Sequence, residues 1–515
     1  MRWGAVLYRL ARMPRVPLLA GSRLMVVTTD EDALALRPPR PGEGIADVRA
    51  AVRDALRFPL AGEPLEALVP RRGGRATIVV EPFNLPIPST ERDPRQEAIG
   101  AAVDELERLG IPSGYQTLLV AGGLARRSGQ EQLESLVAPE LARRFHGHVE
   151  VHDVERDDLV EIGAVDSLAL RVHPALVDTD VVVVLTAAES VLHGGPAALV
   201  GASGRETIRS AGATSLLESA GSSGWRTALA LERALVNRVP LIGASLVLNH
   251  PQATGTARGY PYETEALERI AHGWLRHVFG ALPGGVRAQI LRSLPLERTA
   301  AGAFAGPPSV AHTEALLRGV ELRATVLDGQ LDAICIGVPR TTPHLPRERP
   351  NPLLAAYLAL GLALRLWRDE FPLRPGGTTI LLSRFQRRFQ HPTQQPYRAF
   401  FAGLRAGPDP AALAAAEDAA RTDEHSLSAY RSGRSCHPLL PFADWSGCAP
   451  ALSQLGHVIV AGCRDSAAAR SLGFVPTQGL GAALTMARGW AEQAPRIGFL
   501  LAPPYFPLQV RGGAA

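Results

Sequence analysis

Glu189 and His193 stand four residues apart, just behind the apolar run VVVVLTAA and just before a glycine pair, Gly194-Gly195. A carboxylate and an imidazole beside a glycine-rich turn can serve as acid and base, or can hold a small ligand or a metal. A histidine that merely caps the turn accounts for the same residues. The glycines let a backbone approach a ligand closely, and they equally make a tight connection. Other groupings are poorer. His146, His148 and His152 share parity on one strand and could share a face, as zinc ligands would. His437, Cys448 and Cys463 are a soft-metal set only if the fold gathers them, and buried thiols are the commoner fate of cysteine. No metal site is expected. The segment RFQRRFQH, residues 384–391, interleaves arginine with aromatics as single-strand binders do. It stands alone, so it reads as a surface loop or helix, and no nucleic-acid partner is expected. The Gly-x-Ser-x-Gly elbow of serine hydrolases is missing.

Composition removes whole classes of chemistry. All 54 basic residues are arginine, and the 515-residue chain contains no lysine. No Schiff base, phosphate-loop lysine or lysine-tethered cofactor can form. The net charge is only +4 and the arginines are interleaved with acids, which reads as solvated faces. Four cysteines are too few for a disulfide framework. The N-terminal stretch is broken by arginines and has no signal-peptide core, and no apolar run is long enough to span a bilayer. A soluble, cytoplasmic protein without a membrane partner is predicted. Composition sets no oligomeric state.

The elements that must position these residues alternate. Residues 46–57 have helical periodicity, ATIVVEP reads as a strand, and DPRQEAIGAAVDELERLGI as a helix with Asp93 as cap and Gly110 as stop. TLLVAGGLA is the next strand, SGQEQLESLV starts a helix, and HVEVHD is a strand. The run DTDVVVVLTAA is rich in β-branched residues without alternation, the pattern of a strand buried on both faces of a parallel sheet. Residues 205–300 read as largely helical, and the loop AAGAFAGPPS at 301–310 as a boundary. A second set follows: strand LDAICIGVP, helix NPLLAAYLALGLALRL, strands GGTTILLS and HVIVAGC, helix GLGAALTMARGWAE and strand RIGFLLAPP. The prediction is an α/β protein of two Rossmann-like domains, residues 1–310 and 311–515, with mostly parallel sheets and an interdomain cleft.

Several segments in this order resemble the lactate racemase family, the nickel-pincer-nucleotide enzymes that invert 2-hydroxyacids. They are ALRFPLAGEPLEALV, ATIVVEPFNLPIP, AGGLARRSGQEQL, VEVHDVERDDLVEIG, DTDVVVVLTAAESVLHGGPAALV and NPLLAAYLALGLALRLWRDEFPLRPGGTTILLS. The resemblance implies two α/β domains with a site in the cleft, holding a nickel-bearing nucleotide tethered to lysine. At the motif positions themselves the chain departs from the family. The tethering lysine falls on Ala197 in Gly194-Gly195-Pro196-Ala197, and one catalytic histidine falls on Ala187. The Gly-Thr-His-Arg turn is matched by Gly123-Leu124-Ala125-Arg126, which keeps only the arginine. No histidine occurs from 194 to 249 to take the nickel. The nucleotide-binding turn becomes Glu81-Pro82-Phe83-Asn84-Leu85-Pro86, and the substrate helix has Leu354 and Tyr357 in place of glutamine and lysine.

These residues predict a divergent member without nickel-pincer racemase activity, binding a nucleotide or small carboxylate in the cleft. Arg126, Asn84, Gly194 and Gly195 are the predicted ligand contacts, and His193 and Glu189 the catalytic candidates. The nickel-pincer nucleotide is implied by resemblance only, and its covalent form is excluded by the missing lysine. Two alternatives stand: an active 2-hydroxyacid racemase or epimerase using the untethered cofactor, and a partner-binding protein with no small ligand.

Overall fold

A computed structural model describes residues 15–512, apart from 29–32, 71–72, 83–84, 86, 88–89, 91, 128, 130–132, 134–135, 190–192, 213–221, 340–350, 388, 390, 405–408 and 492–494. The helix start expected at 128–137 and the ligand contact expected at Asn84 lie outside the described residues. The chain is an α/β protein built on two six-stranded sheets.

The first sheet has the order Ala300–Gly306, Leu241–Leu248, Val181–Ala188, Ala76–Val80, Gln116–Val120, His148–Val151. Every neighbouring pair is parallel except the first. All eight residues of Val181–Ala188 are buried. Val181, Val183 and Leu185 pack on one face with helices Val48–Arg57 and Pro94–Arg108, while Val182 and Val184 pack on the other with Ala197–Gly201 and Ser223–Val236. The helix starts are chemically simple. Asp47 accepts from the Ala50 amide and Asp93 from the Arg95 amide, each satisfying an unpaired first-turn donor.

The second sheet, all parallel, has the order Val475–Thr477, Leu455–Ala461, Leu373–Leu382, Leu331–Gly337, Ile497–Leu500, Ala33–Leu36. Its core strands alternate between two apolar layers: Cys335 and Ile380 face one, Ile334, Ile336 and Leu381 the other.

Two sequence expectations need correction, and one needs an addition. The segment read as a boundary loop at 301–310 is the antiparallel edge strand Ala300–Gly306, followed by helix Pro308–Arg323. Its alanines and glycines carry little strand propensity but allow helices to pack closely over the edge. The region 205–300 is largely helical as expected, but it also holds an unforeseen element, the fully buried strand Leu241–Leu248 beside the central one. The two sheets are also not divided at residue 310. Helix Pro308–Arg323 covers the first sheet, and Ala33–Leu36 pairs with Ile497–Leu500 in the second.

Candidate site in the interdomain cleft

The carboxyl ends of the first sheet's strands open onto a cavity of about 250 Å³ walled by both halves of the chain. From the first half come Glu81, the turn Ala121–Arg126, His193, Ala197 and Val200. From the second come Leu354, Tyr357, Leu358, Leu362, Tyr397, Leu440, Ala443 and Asp444. Helix Pro352–Ala356 continues as a π-helical stretch, Tyr357–Leu362, with Gly361 lying flat against the Tyr357 ring. The wider turn carries Tyr357, Leu358 and Leu362 onto the cavity wall.

One side of the cavity is closed by direct contacts across the cleft. The Arg126 Nε donates to the Gly433 carbonyl at 2.8 Å, and the His437 amide donates to the Leu124 carbonyl at 3.0 Å. His437 is fully buried and its Nε2 meets Glu155 at 2.9 Å. Arg205 reaches the same carboxylate at 2.9 Å, and Arg209 grips Glu417 at 2.5 and 2.9 Å. Burial keeps the His437 pKa below the ordinary imidazole value, although Glu155 pulls it the other way.

His193 and Arg126 line this one cavity. Arg126 is exposed at its edge, and its Nε bond to Gly433 orients the guanidinium. Glu189 is committed elsewhere, which corrects its reading as an acid–base partner. Its two oxygens accept from Arg95 and Arg298, each at 2.6 Å. Asp93 accepts from Arg95 at 2.6 and 2.8 Å and lies 3.6 Å from Arg298. Two carboxylates and two guanidiniums therefore balance in a buried cluster. Burial pushes the Asp93 carboxyl up, but the Arg95 and Arg298 charges outweigh it and hold the pKa well below the usual carboxylate range. Arg323, itself buried, donates to the carbonyls of Ala188 at 2.7 Å and Glu189 at 3.1 Å, and so pins the end of the central strand.

Gly194 and Gly195, expected as ligand contacts, are packed against His312. Both have left-handed backbone, with φ of +105° and +56°, and an added Cβ on either would overlap His312. The buried His312 ring meets the Ser245 hydroxyl at 3.1 Å, and the Gly195 amide donates to Thr186 at 2.9 Å. The pair therefore seats the turn against helix Pro308–Arg323 and is absent from the cavity wall.

The alternative metal sets do not converge. His148 is exposed while His152 is buried and bonded to the Ser203 carbonyl at 2.8 Å. His437 is held by Glu155, and Cys448 bonds the Asp444 carbonyl at 3.4 Å. Among the described residues, no group of three or more His, Cys, Asp or Glu could hold a metal ion. In the arginine–aromatic segment, Phe385 is buried and Arg387 pairs with Asp465 at 2.9 Å.

Two carboxyls on the cavity wall were not among the predicted site residues. Burial raises Glu81 to about 7; the Gly194 amide, 3.3 Å away, and Arg95 limit the rise, while Glu189 adds to it. Burial also raises Asp444 to about 7, against a hydrogen bond from the Tyr397 hydroxyl at 2.6 Å. Asp444 lies on a stripe with Leu440, Ala443 and Gly447, one acid among apolar positions at helical spacing. That stripe is the signal that could have found it.

Among the described residues, no helix is long and apolar enough to cross a membrane. Comparison with solved structures finds the lactate racemase apoprotein from Thermoanaerobacterium thermosaccharolyticum, with a TM-score of 0.59 and 14% identity, covering 96% of this chain and 100% of that one. A Thermotoga maritima protein gives a TM-score of 0.50 at 10% identity, covering 92% and 100%. A search of the curated proteins gives no match. At these identities the structural likeness is one of fold. In sequence, residues 21–223 match the lactate racemase N-terminal domain, and the whole chain carries a lactate-racemase-like fold.

Proposed function

We propose that this protein does not perform nickel-pincer racemisation and that its cleft binds a small carboxylate with an apolar body. The observation that carries the reading is where the substituted positions lie. Ala125, Ala197, Leu354 and Tyr357, which the family resemblance assigns to chemistry, all line the one cavity, and Ala187 lines a small void beside it. Methyl groups stand where proton transfer and a tether would need an imidazole and an amine. The nickel-pincer nucleotide does not fit these residues. The chain has no lysine to tether it, and no histidine from 194 to 249 to take the nickel.

A carboxylate suits the groups that remain. Arg126 offers a planar fork at the edge of the cavity, and Leu354, Leu358, Leu362 and Val200 offer an apolar wall. A nucleotide is the weaker fit, because Arg126 and His193 are the only basic side chains on the described wall. The reading keeps the cytoplasmic location expected from the sequence.

The test has two arms. The protein is co-produced with the cofactor-synthesis proteins, and bound nickel and lactate inversion are measured. Removal of one acid–base group costs about 10²- to 10⁴-fold, so neither stoichiometric nickel nor inversion is expected. In the second arm, branched short-chain carboxylates should raise the melting temperature, and Arg126→Gln should abolish the rise. Nickel with turnover would overturn the first half of the reading, and carboxylate binding indifferent to Arg126→Gln the second.

A further inference from the structure

The cavity has a pole that a simple carboxylate leaves unused. Asp444 is 5% exposed, and among the described residues its carboxylate has one hydrogen-bond partner, the neutral Tyr397 hydroxyl. No arginine or histidine forms an ion pair with it among the described residues. The ionisable groups that feel its charge are Tyr357, Tyr397 and Cys448; Cys436 acts on Tyr397, and Arg365 on Tyr357 and Cys448. Arg365 gives its Nη1 to the Gly447 carbonyl at 3.2 Å. Glu81 differs, because Arg95 already acts on it.

Resting on the carboxylate reading above, we infer that the ligand also carries an ammonium group recognised by Asp444, so that the cavity takes an amino acid with an apolar side chain. The cavity then presents three complements to one small molecule: Arg126 for the carboxylate, Asp444 for the ammonium, and the leucines of the π-helical wall for the side chain. Asp444 is suited to this because a buried carboxylate lacking a cation gains most from one that arrives with the ligand. Tyr397 steadies one oxygen while the other can accept from the ammonium. The rise of the Asp444 pKa to about 7 agrees with an unpaired acid, and makes cation binding below that pH release a proton.

The test is titration calorimetry of the full chain with leucine, 4-methylpentanoate and 3-methylbutylamine, which share the 3-methylbutyl group. Leucine is expected to bind at least about thirtyfold tighter than 4-methylpentanoate. About one proton should be released per leucine bound below pH 7, read in two buffers of different ionisation enthalpy. Asp444→Asn should remove the preference for leucine and leave 4-methylpentanoate within about threefold. If 4-methylpentanoate binds as well as leucine, the inference is overturned while the carboxylate reading survives. If the amine alone binds, through Asp444, the carboxylate reading fails and the amino-acid assignment with it. Binding of none of the three overturns both.

Discussion

Asp444→Asn is expected to make the protein more stable at alkaline pH. The carboxyl moves from an ordinary 3.8 to about 7 in the folded chain. At about 1.36 kcal/mol per pH unit, the folded state prefers the protonated form by roughly 4 kcal/mol. The sign follows from the raised value. The contribution is fully present below about pH 3.8 and is lost as pH rises toward about 7, above which the folded chain must hold an unpaired carboxylate. Glu81, raised from 4.5 to about 7, acts in the same direction and is untouched by the substitution. Asparagine keeps an acceptor for Tyr397 and cannot ionise. Urea denaturation of parent and variant at about pH 4.5 and about pH 8 gives two stability differences. Between them the balance should shift toward the variant by roughly 1–4 kcal/mol, the lower figure allowing for relaxation around a real buried charge. Any fixed cost of the amide cancels in the comparison. Equal differences at both pH values, within about 0.5 kcal/mol, would refute the picture of a desolvated, unpaired Asp444.

Two further outcomes test the walls of the site. Gly194→Ala places a Cβ on the His312 ring at a backbone φ of +105°, so a loss of more than about 2 kcal/mol is expected in thermal or chemical denaturation; an unchanged melting temperature would show that helix Pro308–Arg323 does not press on this turn. Arg298→Met leaves Arg95 as the ion-pair partner of Glu189 and Asp93 among the described residues and should cost about 3–5 kcal/mol, with part recovered in Arg298→Met/Glu189→Gln; strict additivity in that cycle would remove the four-charge cluster as a unit.

The sequence made the central strand readable because burial on both faces leaves no alternation. Val181–Ala188 is as apolar as its surroundings on either side. The helix over 94–108 was readable for another local reason, since Asp93, Pro94 and Gly110 mark both of its ends. Leu241–Leu248 and Ala300–Gly306 were not readable. Glycine, alanine and serine dilute the strand signal, and what holds these segments extended is a neighbouring strand rather than local preference. The site divides the same way. The resemblance located Ala125 and Ala197, which indeed line the cavity, while Asp444 is coupled to Tyr397, 47 residues away, and to a cleft that exists only after folding. Glu189 misled for the converse reason. Its spacing from His193 suggested a pair, but Arg95 and Arg298 arrive from 94 and 109 residues away and take it.

The balance of charge in the cleft bears on whether the cavity serves a ligand or is only a remnant inside a partner-binding protein. At Glu189 and Asp93, burial is matched by two guanidiniums, which is how a structural acid is ordinarily kept. At Asp444 burial is opposed only by the Tyr397 hydrogen bond, and it raises the carboxyl to about 7; at Glu81 Arg95 and the Gly194 amide offset burial only in part. A chain that uses the cleft only as packing gains stability by making Asp444 apolar or amidic, so the unpaired acid is a local cost with no structural return. Such costs gather where a bound molecule relieves them. Arginine is plentiful in this sequence, yet none forms an ion pair with Asp444 among the described residues. On the amino-acid inference the missing cation would come with the ligand, and this is the ground for preferring the small-ligand reading to the partner-binding one.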